Sequence, residues 1–450
     1  MFSALTSSLG LSPSAASNLK LAFRTSGVTG LKRLLAGPIS KDDVGFWAQF
    51  YQLFDDAGEV AGALPFSVLR QAREQQRNNL HTLLEHLLDH LQAHVASDAF
   101  PSPAKGRSLG EFLPAAARGK ASEQDTTTEA LNCLRVIARI LPILYEVLPK
   151  AVPDASAVDS QDEGSFAWRV LYAPRPQRTA RDGSSADDYV EGPNSTAAGS
   201  QQFVIDSDDE DEQAVRPAQE PPAGAAVRPT APSISEQLFS LTIDLLFLTG
   251  FTLPPSTTEL AEKVAYTIWL PGIGSSTALP PTSPRIDANR IEVLRFLQVL
   301  LSRAIYLPPP LLPSTPIGPL ATLTSLTPAS DRATLDRRLL LSVLCSLLNT
   351  TLTPTSPALI NAVPYAHLLK GGMGASLVGI GAEELSGNLR KGCAHVLLAG
   401  LDYWADDDGR ETDGKEGNAF RYFISKLVRV SHCRVVSSSD LTCATLLSSK

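Results

Sequence analysis

Hydrophobic residues recur at helical spacing in much of the chain, and the segment Arg285–Pro310 shows this pattern most completely. Its apolar face is formed by Ile291, Leu294, Leu297, Leu301 and Ile305. Asp287 is expected to cap the first turn, and Pro308–Pro310 are expected to end the helix, because proline lacks the amide hydrogen and clashes with the preceding turn. A face this wide predicts burial against other helices.

The same periodicity predicts further helices in two blocks, residues 42–150 and residues 233–430. In the first block the helical segments are Val44–Val95 and Ala130–Pro149. In the second they are Ile234–Phe251, Glu259–Leu270, Arg332–Leu352 and Leu389–Trp404. No alternating strand pattern separates them, and no fixed repeat length is visible. The sequence therefore predicts an all-α fold, an irregular α-solenoid-like stack with long disordered insertions.

Several stretches lack the helical pattern. Residues 151–232 are dense in Ala, Ser, Asp, Pro and Gly and poor in large apolar side chains, which predicts a disordered, acidic and proline-rich insertion. Within it, Ser165–Tyr172 is expected to dock as a short helix or turn. A Pro/Ser/Thr-rich loop is expected at 311–330. Residues 1–41 are predicted to be a flexible basic segment, and residues 431–450 a disordered tail.

The charge and cysteine content narrow the class of protein. The chain has 39 Lys and Arg and 47 Asp and Glu, for a net charge of −8, and much of the acidic excess lies near Asp206–Glu212. No basic stripe suited to a nucleic acid is present, so no nucleic-acid partner is expected. The five cysteines are far apart, which is typical of a reducing compartment. Every apolar run falls short of the roughly 20 residues that span a bilayer, so any membrane contact is expected to be peripheral.

The N-terminal segment is basic, with no acid before Asp42. The amphipathic stretch Leu19–Leu35 is expected to lie against an anionic membrane surface. Its candidate contact residues are Lys20, Arg24, Lys32 and Arg33. Composition alone also fits an organellar transit peptide. Phe2 stands where N-myristoylation requires glycine, so that anchor is not expected for this start site.

Few residues suggest chemistry. His86, His90 and His94 recur every four residues, so two adjacent imidazoles could share a metal ion. No Cys or second His cluster completes such a site, which favours a solvated helix flank and no metal. The glycine-rich segment Gly371–Gly381 lacks the order of a phosphate-binding loop and predicts a flexible loop. No catalytic motif is recognisable, so no enzyme activity, cofactor or small-molecule substrate is expected.

The acidic run FVIDSDDEDE joins a short apolar patch to a block of acids. Such a peptide can add a strand to a partner's sheet while its acids meet a basic rim, and it resembles SUMO-interacting motifs. The candidate partner-binding residues are Phe203, Val204, Ile205 and Asp206. Ser207, which is followed by acids, is a candidate phosphorylation site. A solvated linker is the simpler interpretation.

Eight segments, taken together and in order, resemble the high-temperature-induced dauer-formation protein family, which is related to dymeclin. They are FWAQFYQLF (Phe46–Phe54), NNLHTLLEHLL (Asn78–Leu88), ALNCLRVIARILPILYE (Ala130–Glu146), IDLLFLTGFTL (Ile243–Leu253), YTIWLPGIG (Tyr266–Gly274), NRIEVLRFLQVLLSRAIYLPP (Asn289–Pro309), CSLLNTTL (Cys345–Leu352) and VPYAHLL (Val363–Leu369). The insertions between them are typical of a fungal-type member, and the match corresponds to the N-terminal part of the family. The basic opening Asn18–Arg24 resembles the family as well, which weakens the transit-peptide interpretation.

The resemblance implies a non-enzymatic peripheral membrane protein of the Golgi and trans-Golgi network. It implies a role in secretory cargo sorting and vesicle maturation, a location in the cytoplasm on Golgi membranes, and protein partners from the secretory pathway. The sequence after Leu427 no longer resembles the family, so a truncated or mis-spliced gene model is expected. The alternative is a soluble helical adaptor that binds a SUMO-like partner through the acidic insertion.

Overall fold

The fold is taken from a computed structural model, and most of the residues it describes are helical. The described residues are 20–24, 30–98, 100–101, 126–147, 163–173, 175–176, 230–255, 262–276, 282–308, 317–325, 335–353, 374–403 and 418–426. The predicted tail and the loop at 311–316 and 326–330 therefore lie outside the described residues, as does most of the predicted insertion. The loop prediction is wrong in its described part, where Gly318–Thr324 form a short helix.

The first helical block contains one long core helix preceded by shorter ones. The helices are α1 (Arg33–Ala36), α2 (Val44–Gln52), α3 (Ala57–Ala63), α4 (Phe66–Gln75), α5 (Arg77–Ala96) and α6 (Thr126–Tyr145). Aspartates cap two of them: Asp43 accepts from the amide of Phe46 in α2, and Asp56 accepts from the amide of Glu59 in α3. Pro142 lies in the last turn of α6 and does not split the helix.

The rest of the main unit is also helical. Its elements are α7 (Glu163–Tyr172), α8 (Ile234–Leu246), α9 (Pro284–Leu301), a 3-10 turn (Ser302–Tyr306), α10 (Gly318–Thr324), α11 (Arg337–Leu352), α12 (Gly374–Asp402) and a last helix, α13, over residues 419–426. The short helix expected at Ser165–Tyr172 is confirmed as α7, which buries Phe166, Val170 and Leu171. Ser233 is the N-cap of α8 and forms a capping box with Glu236.

Residues Pro174–Pro232 form a second, separate unit. Its described part is a two-residue antiparallel pair of strands, β1 (Arg175–Pro176) and β2 (Thr230–Ala231). Arg175 is paired with Ala231, and Pro176 with Thr230.

The helices of the main unit stack in a row that runs through α6, α9 and α12. Helix α6 packs against α2, α3, α4 and α5 and also against α9; α9 packs against α8 and α12, and α12 against α11. Arg135 of α6 donates to Glu292 of α9 over 3.1 Å, and Gln298 of α9 donates to the carbonyl of Gly392 in α12 over 3.2 Å. The all-α, irregular solenoid-like prediction is confirmed.

The buried apolar side chains of these helices form one continuous cluster. Helix α6 is buried around most of its circumference, including Ile137, Ile140 and Leu141, as its apolar sequence predicts. Helix α9 contributes Leu294 and Leu297, both fully buried. Burial of side chains of this size typically stabilises a fold by about 1.5–3 kcal/mol each, so the shared core holds the row together.

Buried asparagines fasten the loops to the helices. They are Asn79, Asn132, Asn289, Asn349 and Asn418. Each donates its side-chain amide to one or two carbonyls of a neighbouring loop or helix end. Buried carbonyls need such partners, because an unpaired one costs about 1–3 kcal/mol. The periodicity of apolar residues gives no indication of these contacts.

Two details of the prediction for α9 are wrong. The helix begins earlier than expected: Ser283 is the N-cap and Pro284 occupies the first turn, so Asp287 lies inside the helix. It also ends earlier, because Ser302–Tyr306 form a 3-10 turn. The tighter winding rotates Ile305 away from the apolar face, and its side chain is 82% exposed.

The helix predicted at Glu259–Leu270 is absent from its described part, residues 262–270. Contacts with distant residues replace helical hydrogen bonds there. The amide of Ala265 donates to the carbonyl of Phe247, and the amide of Trp269 donates to Ser346 Oγ. Asn349 holds the following loop through the carbonyls of Leu270 and Ile273.

The flexible loop predicted at Gly371–Gly381 is also wrong from Gly374 onward, where helix α12 begins. Residues 371–373 lie outside the described residues. A glycine costs a helix only about 1 kcal/mol relative to alanine, so a helix that continues for many residues tolerates several of them.

Candidate functional site

Lys20, the first of the predicted membrane-contact residues, is engaged within the protein. Its Nζ lies 2.7 Å from Asp55 Oδ2 and 2.7 Å from Glu59 Oε2. Burial alone would lower the pKa of Lys20, but hydrogen bonds to these carboxylates and their charges raise it above its ordinary value. These carboxylates therefore largely neutralise the positive charge of Lys20, which leaves it poorly suited to contact an anionic membrane surface.

The other three basic residues differ in exposure. Arg33 lies 2.7 Å from Asp43 Oδ2, and its guanidinium stands 4.9 Å from the ring centre of Phe46. Arg24 and Lys32 are exposed. Membrane contact by this segment stays a prediction, and Arg24 and Lys32 are the residues best placed for it.

The predicted partner-binding peptide, Phe203, Val204, Ile205 and Asp206, lies outside the described residues together with Ser207. Its binding and phosphorylation stay predictions.

The three histidines of α5 do not act as one group. His86 is the separate member: its Nε2 lies 2.9 Å from the carbonyl oxygen of Lys41, and its ring stacks on Trp47 at 5.5 Å between centroids. His90 and His94, one turn apart, bring their Nε2 atoms to within 2.8 Å of each other. The helix flank expected to be solvated is in fact half-buried at these positions.

A third side chain joins this pair from α6. Glu129 Oε2 lies 3.1 Å from His90 Nε2 and 3.3 Å from His94 Nε2. Glu129 is buried, with 6% of its surface exposed. In the described part of the chain, these three residues are the one group of at least three His, Cys, Asp or Glu side chains arranged closely enough to hold a metal ion.

Aromatic side chains fix the orientation of the two imidazoles. Tyr51 of α2 stacks on His90 with ring centroids 3.8 Å apart, and Phe100 lies 5.9 Å from the ring of His94. Burial raises the pKa of the Tyr51 hydroxyl, and the neighbouring Cys133 and Glu129 raise it further. The surroundings of the two imidazoles are therefore largely apolar.

Sequence reasoning missed Glu129 because it is far from the histidines along the chain. It is separated from His90 by 39 positions and from His94 by 35. One signal was available: Glu129 lies at the start of a segment that is apolar on nearly every side. An acid in such a helix must find a compensating partner, because an isolated buried carboxylate is very costly.

A second buried charge lies on α9. Arg290 is 2% exposed and donates to the carbonyl of Thr252 over 2.7 Å and to Asp287 over 3.2 Å. Its guanidinium stands 4.8 Å from the ring centre of Trp269. These contacts join α9 to residues 247–255 and to residues 262–276, the two described segments that lie between α8 and α9. We therefore assign Arg290 a structural role.

None of the helices in the described part of the chain combines the length and the hydropathy that crossing a bilayer requires.

Comparison with known proteins gives a consistent family. The family model described as "High-temperature-induced dauer-formation protein" matches residues 15–439. The Ubp5-interacting protein ftp105 of Schizosaccharomyces pombe is 28% identical over 362 residues, which are 74% of this chain and 34% of that protein. Protein HID1 of Homo sapiens is 25% identical over 281 residues, which are 60% of this chain and 26% of that protein.

The chain thus spans about a third of the fungal relative and about a quarter of the human one. The HID1 protein of Mus musculus matches over the same extent as the human protein. No solved structure matches the chain.

Proposed function

Because the chain belongs to the high-temperature-induced dauer-formation protein family, we propose that it is a non-enzymatic peripheral scaffold of the Golgi and trans-Golgi network. In this proposal it acts in the sorting of secretory cargo and the maturation of secretory vesicles. The observation that carries the proposal is the family match over residues 15–439, together with the resemblance of the eight ordered segments. The chain covers only part of its relatives, so the role of the whole protein is included in the proposal.

The helical stack supports a scaffold mechanism. A row of helices that share one continuous core presents rigid outer faces, which suit the recognition of protein partners. The name of the fungal relative records an interaction with Ubp5, which supports a role that depends on protein partners. Recognition by preformed surfaces needs no group that carries out chemistry.

Peripheral membrane contact is proposed for the basic N-terminal segment. Arg24 and Lys32 are exposed, whereas Lys20 and Arg33 are paired with carboxylates. Each lysine or arginine near an anionic surface contributes about 1 kcal/mol to membrane attraction. Two such residues give weak binding, so a protein partner at the Golgi is expected to strengthen the attachment.

The proposal is tested by imaging the fluorescently tagged full-length gene product alongside a trans-Golgi marker. Coincident signals are expected. A purely nuclear or diffuse signal would contradict the trafficking role and would favour the soluble adaptor that binds a SUMO-like protein at Val204 and Ile205.

A charge-reversed variant, Arg24→Glu with Lys32→Glu, separates membrane contact from partner binding. Its signal is expected to shift towards the cytosol. The matched control reverses two exposed charges on α11 and α12, Arg338→Glu with Lys391→Glu, and is expected to stay with the marker. If both variants stay with the marker, the Golgi role stands and the membrane contact assigned to Arg24 and Lys32 is wrong.

A further inference from the structure

We propose that His90, His94 and Glu129 bind a divalent transition-metal ion, of which Zn²⁺ fits the ligands best. The ion would join α5, which carries both histidines, to α6, which carries the glutamate. This site is independent of the proposed scaffold function. It rests on the convergence of the three side chains, on the lone pairs that their ligand atoms offer and on their partial burial.

The first argument is geometric. The three potential ligand atoms form a triangle: His90 Nε2 to His94 Nε2 is 2.8 Å, and Glu129 Oε2 lies 3.1 Å and 3.3 Å from these two nitrogens. A point about 1 Å out of the plane of this triangle lies about 2.0 Å from all three atoms, which is the usual Zn–N and Zn–O bond length. An ion can therefore enter with little movement of the side chains.

The second argument concerns protons. A hydrogen bond needs a proton on one atom and a lone pair on the other, and each imidazole Nε2 carries at most one proton. If both nitrogens are protonated, two N–H groups face each other across 2.8 Å. If only one is protonated, the lone pair of the other faces the carboxylate oxygen of Glu129. With an ionised Glu129, one of the three contacts is repulsive in both arrangements, whereas a cation accepts all three lone pairs.

The third argument concerns burial and charge. Glu129 exposes 7% of its side chain, His90 exposes 23% and His94 exposes 15%. A buried carboxylate requires a compensating positive charge or strong hydrogen bonds. The partly exposed imidazoles leave the cluster open on the solvent side. An ion can reach the site from there, and a water molecule can occupy its fourth coordination position.

The ligand types indicate the class of metal. Two imidazole nitrogens with one carboxylate oxygen suit Zn²⁺ and its neighbours in the transition series. Ca²⁺ and Mg²⁺ prefer sites built from oxygen ligands, so they are expected to bind poorly. The buried Cys133, one turn further along α6, is not among the converging groups. The first shell is therefore expected to contain nitrogen and oxygen without sulfur.

The decisive experiment uses the full chain, stripped of metal with a chelator and titrated with Zn²⁺ by calorimetry. One ion per chain is expected. His90→Ala, His94→Ala and Glu129→Gln are each expected to weaken binding by at least about 100-fold, since even the loss of a supporting contact often costs 10- to 100-fold. His86→Ala is the matched control: it removes a histidine from the same helix without touching the cluster and should keep wild-type affinity.

X-ray absorption of the wild-type chain loaded with Zn²⁺ needs no variant to fold. The proposal expects nitrogen and oxygen neighbours at about 2.0 Å and none at the Zn–S distance of about 2.3 Å. Equal Zn²⁺ affinity in Glu129→Gln and wild type would overturn the proposal. So would a sulfur shell, which would place the ion at a cysteine, or the absence of binding at micromolar Zn²⁺ in a chain that circular dichroism shows to be folded.

Discussion

Helices α6 and α9 pack against each other, and each carries a buried asparagine close to a buried charge. On α6, Asn132 follows Glu129 by three positions. It donates to the carbonyl of Tyr51 in the last turn of α2 and to that of Phe54 just after this helix. On α9, Asn289 lies next to Arg290 and likewise donates to a carbonyl, that of Phe251. The two helices therefore use the same arrangement to hold the loop that follows an earlier helix.

The two charges have different kinds of partner. Arg290 is held by fixed groups of the chain: a backbone carbonyl, the carboxylate of Asp287 and the ring of Trp269. Glu129 faces His90 and His94, whose imidazole nitrogens can each act as a donor, an acceptor or a metal ligand. A buried charge with fixed partners locks a fold. A buried charge whose partners are potential metal ligands can instead bind an ion from solution together with them.

Burial dominates the electrostatics of the α9 pair. It lowers the pKa of Arg290 and raises the pKa of Asp287, although each attracts the other. The cost of removing both groups from water therefore exceeds their mutual attraction. The pair specifies how the segments around α9 are joined, and breaking it leaves the remaining partner buried and uncompensated.

The largest expected effect follows from Arg290→Ala. The substitution leaves the Thr252 carbonyl without its donor and Asp287 without its cationic partner, so that Asp287 keeps the hydrogen bond from the Thr282 hydroxyl, and it opens a space beside Trp269. The free energy of unfolding is expected to fall by about 3–5 kcal/mol, the usual result of removing one partner of a buried pair. Urea unfolding followed by far-UV circular dichroism measures it.

Arg295→Ala is the matched control for this prediction. Arg295 lies on the same helix and pairs with Glu292, but its side chain is 58% exposed. Solvent screens such a pair, so the expected loss is less than about 1 kcal/mol. Similar losses for Arg290→Ala and Arg295→Ala would show that Arg290 has no locking role.

A smaller difference is expected between the two asparagines. Asn132→Ala removes the donor for two buried carbonyls and is expected to cost about 2–3 kcal/mol. Asn289→Ala removes the donor for one, the carbonyl of Phe251, and is expected to cost about 1–2 kcal/mol. Urea unfolding of both variants under identical conditions gives the comparison.

Asn132→Asp separates the hydrogen bonds from the packing of the side chain. It keeps the size of the residue but replaces the donor with an acceptor. Because Arg135 donates to Asn132 Oδ1 over 2.9 Å and would pair with the new carboxylate, the comparison is made in an Arg135→Ala background. There Asn132→Asp is expected to be at least as destabilising as Asn132→Ala. If Asn132→Asp caused no loss of stability in that background, packing alone would explain the burial of this residue.

The periodicity of apolar residues predicted the helices of this fold because a helix buries a face defined by neighbouring positions. Helices α5, α6 and α11 follow from such patterns. The same pattern failed at residues 262–270, where the amides find partners on Phe247 and Ser346. Those partners are distant in sequence, so periodicity carries no information about them.

Only part of the candidate site could be predicted from the sequence, because periodicity carries no information about contacts between distant residues. The spacing of His90 and His94 shows that they share one face of a helix. The third residue, Glu129, arrives through the packing of α5 against α6. A buried acid in an apolar helix indicates that a partner exists, but only the fold identifies that partner.

The smallest effect is expected at Glu146, an exposed counterpart of Glu129 at the other end of α6. A hydrogen bond from Arg70 lowers the pKa of Glu146 from its ordinary value of 4.5, against the opposing effect of partial burial. A carboxylate whose pKa is lower in the folded state stabilises the fold above its unfolded pKa and loses that contribution as the pH falls through the folded value. Glu146→Gln should therefore reduce stability slightly at pH 7 and much less at a pH below the folded pKa. Urea unfolding at both pH values tests this. If the difference in the free energy of unfolding between Glu146→Gln and wild type were equal at the two pH values, the charge of Glu146 would contribute nothing to stability, in contrast to the buried charges of Glu129 and Arg290.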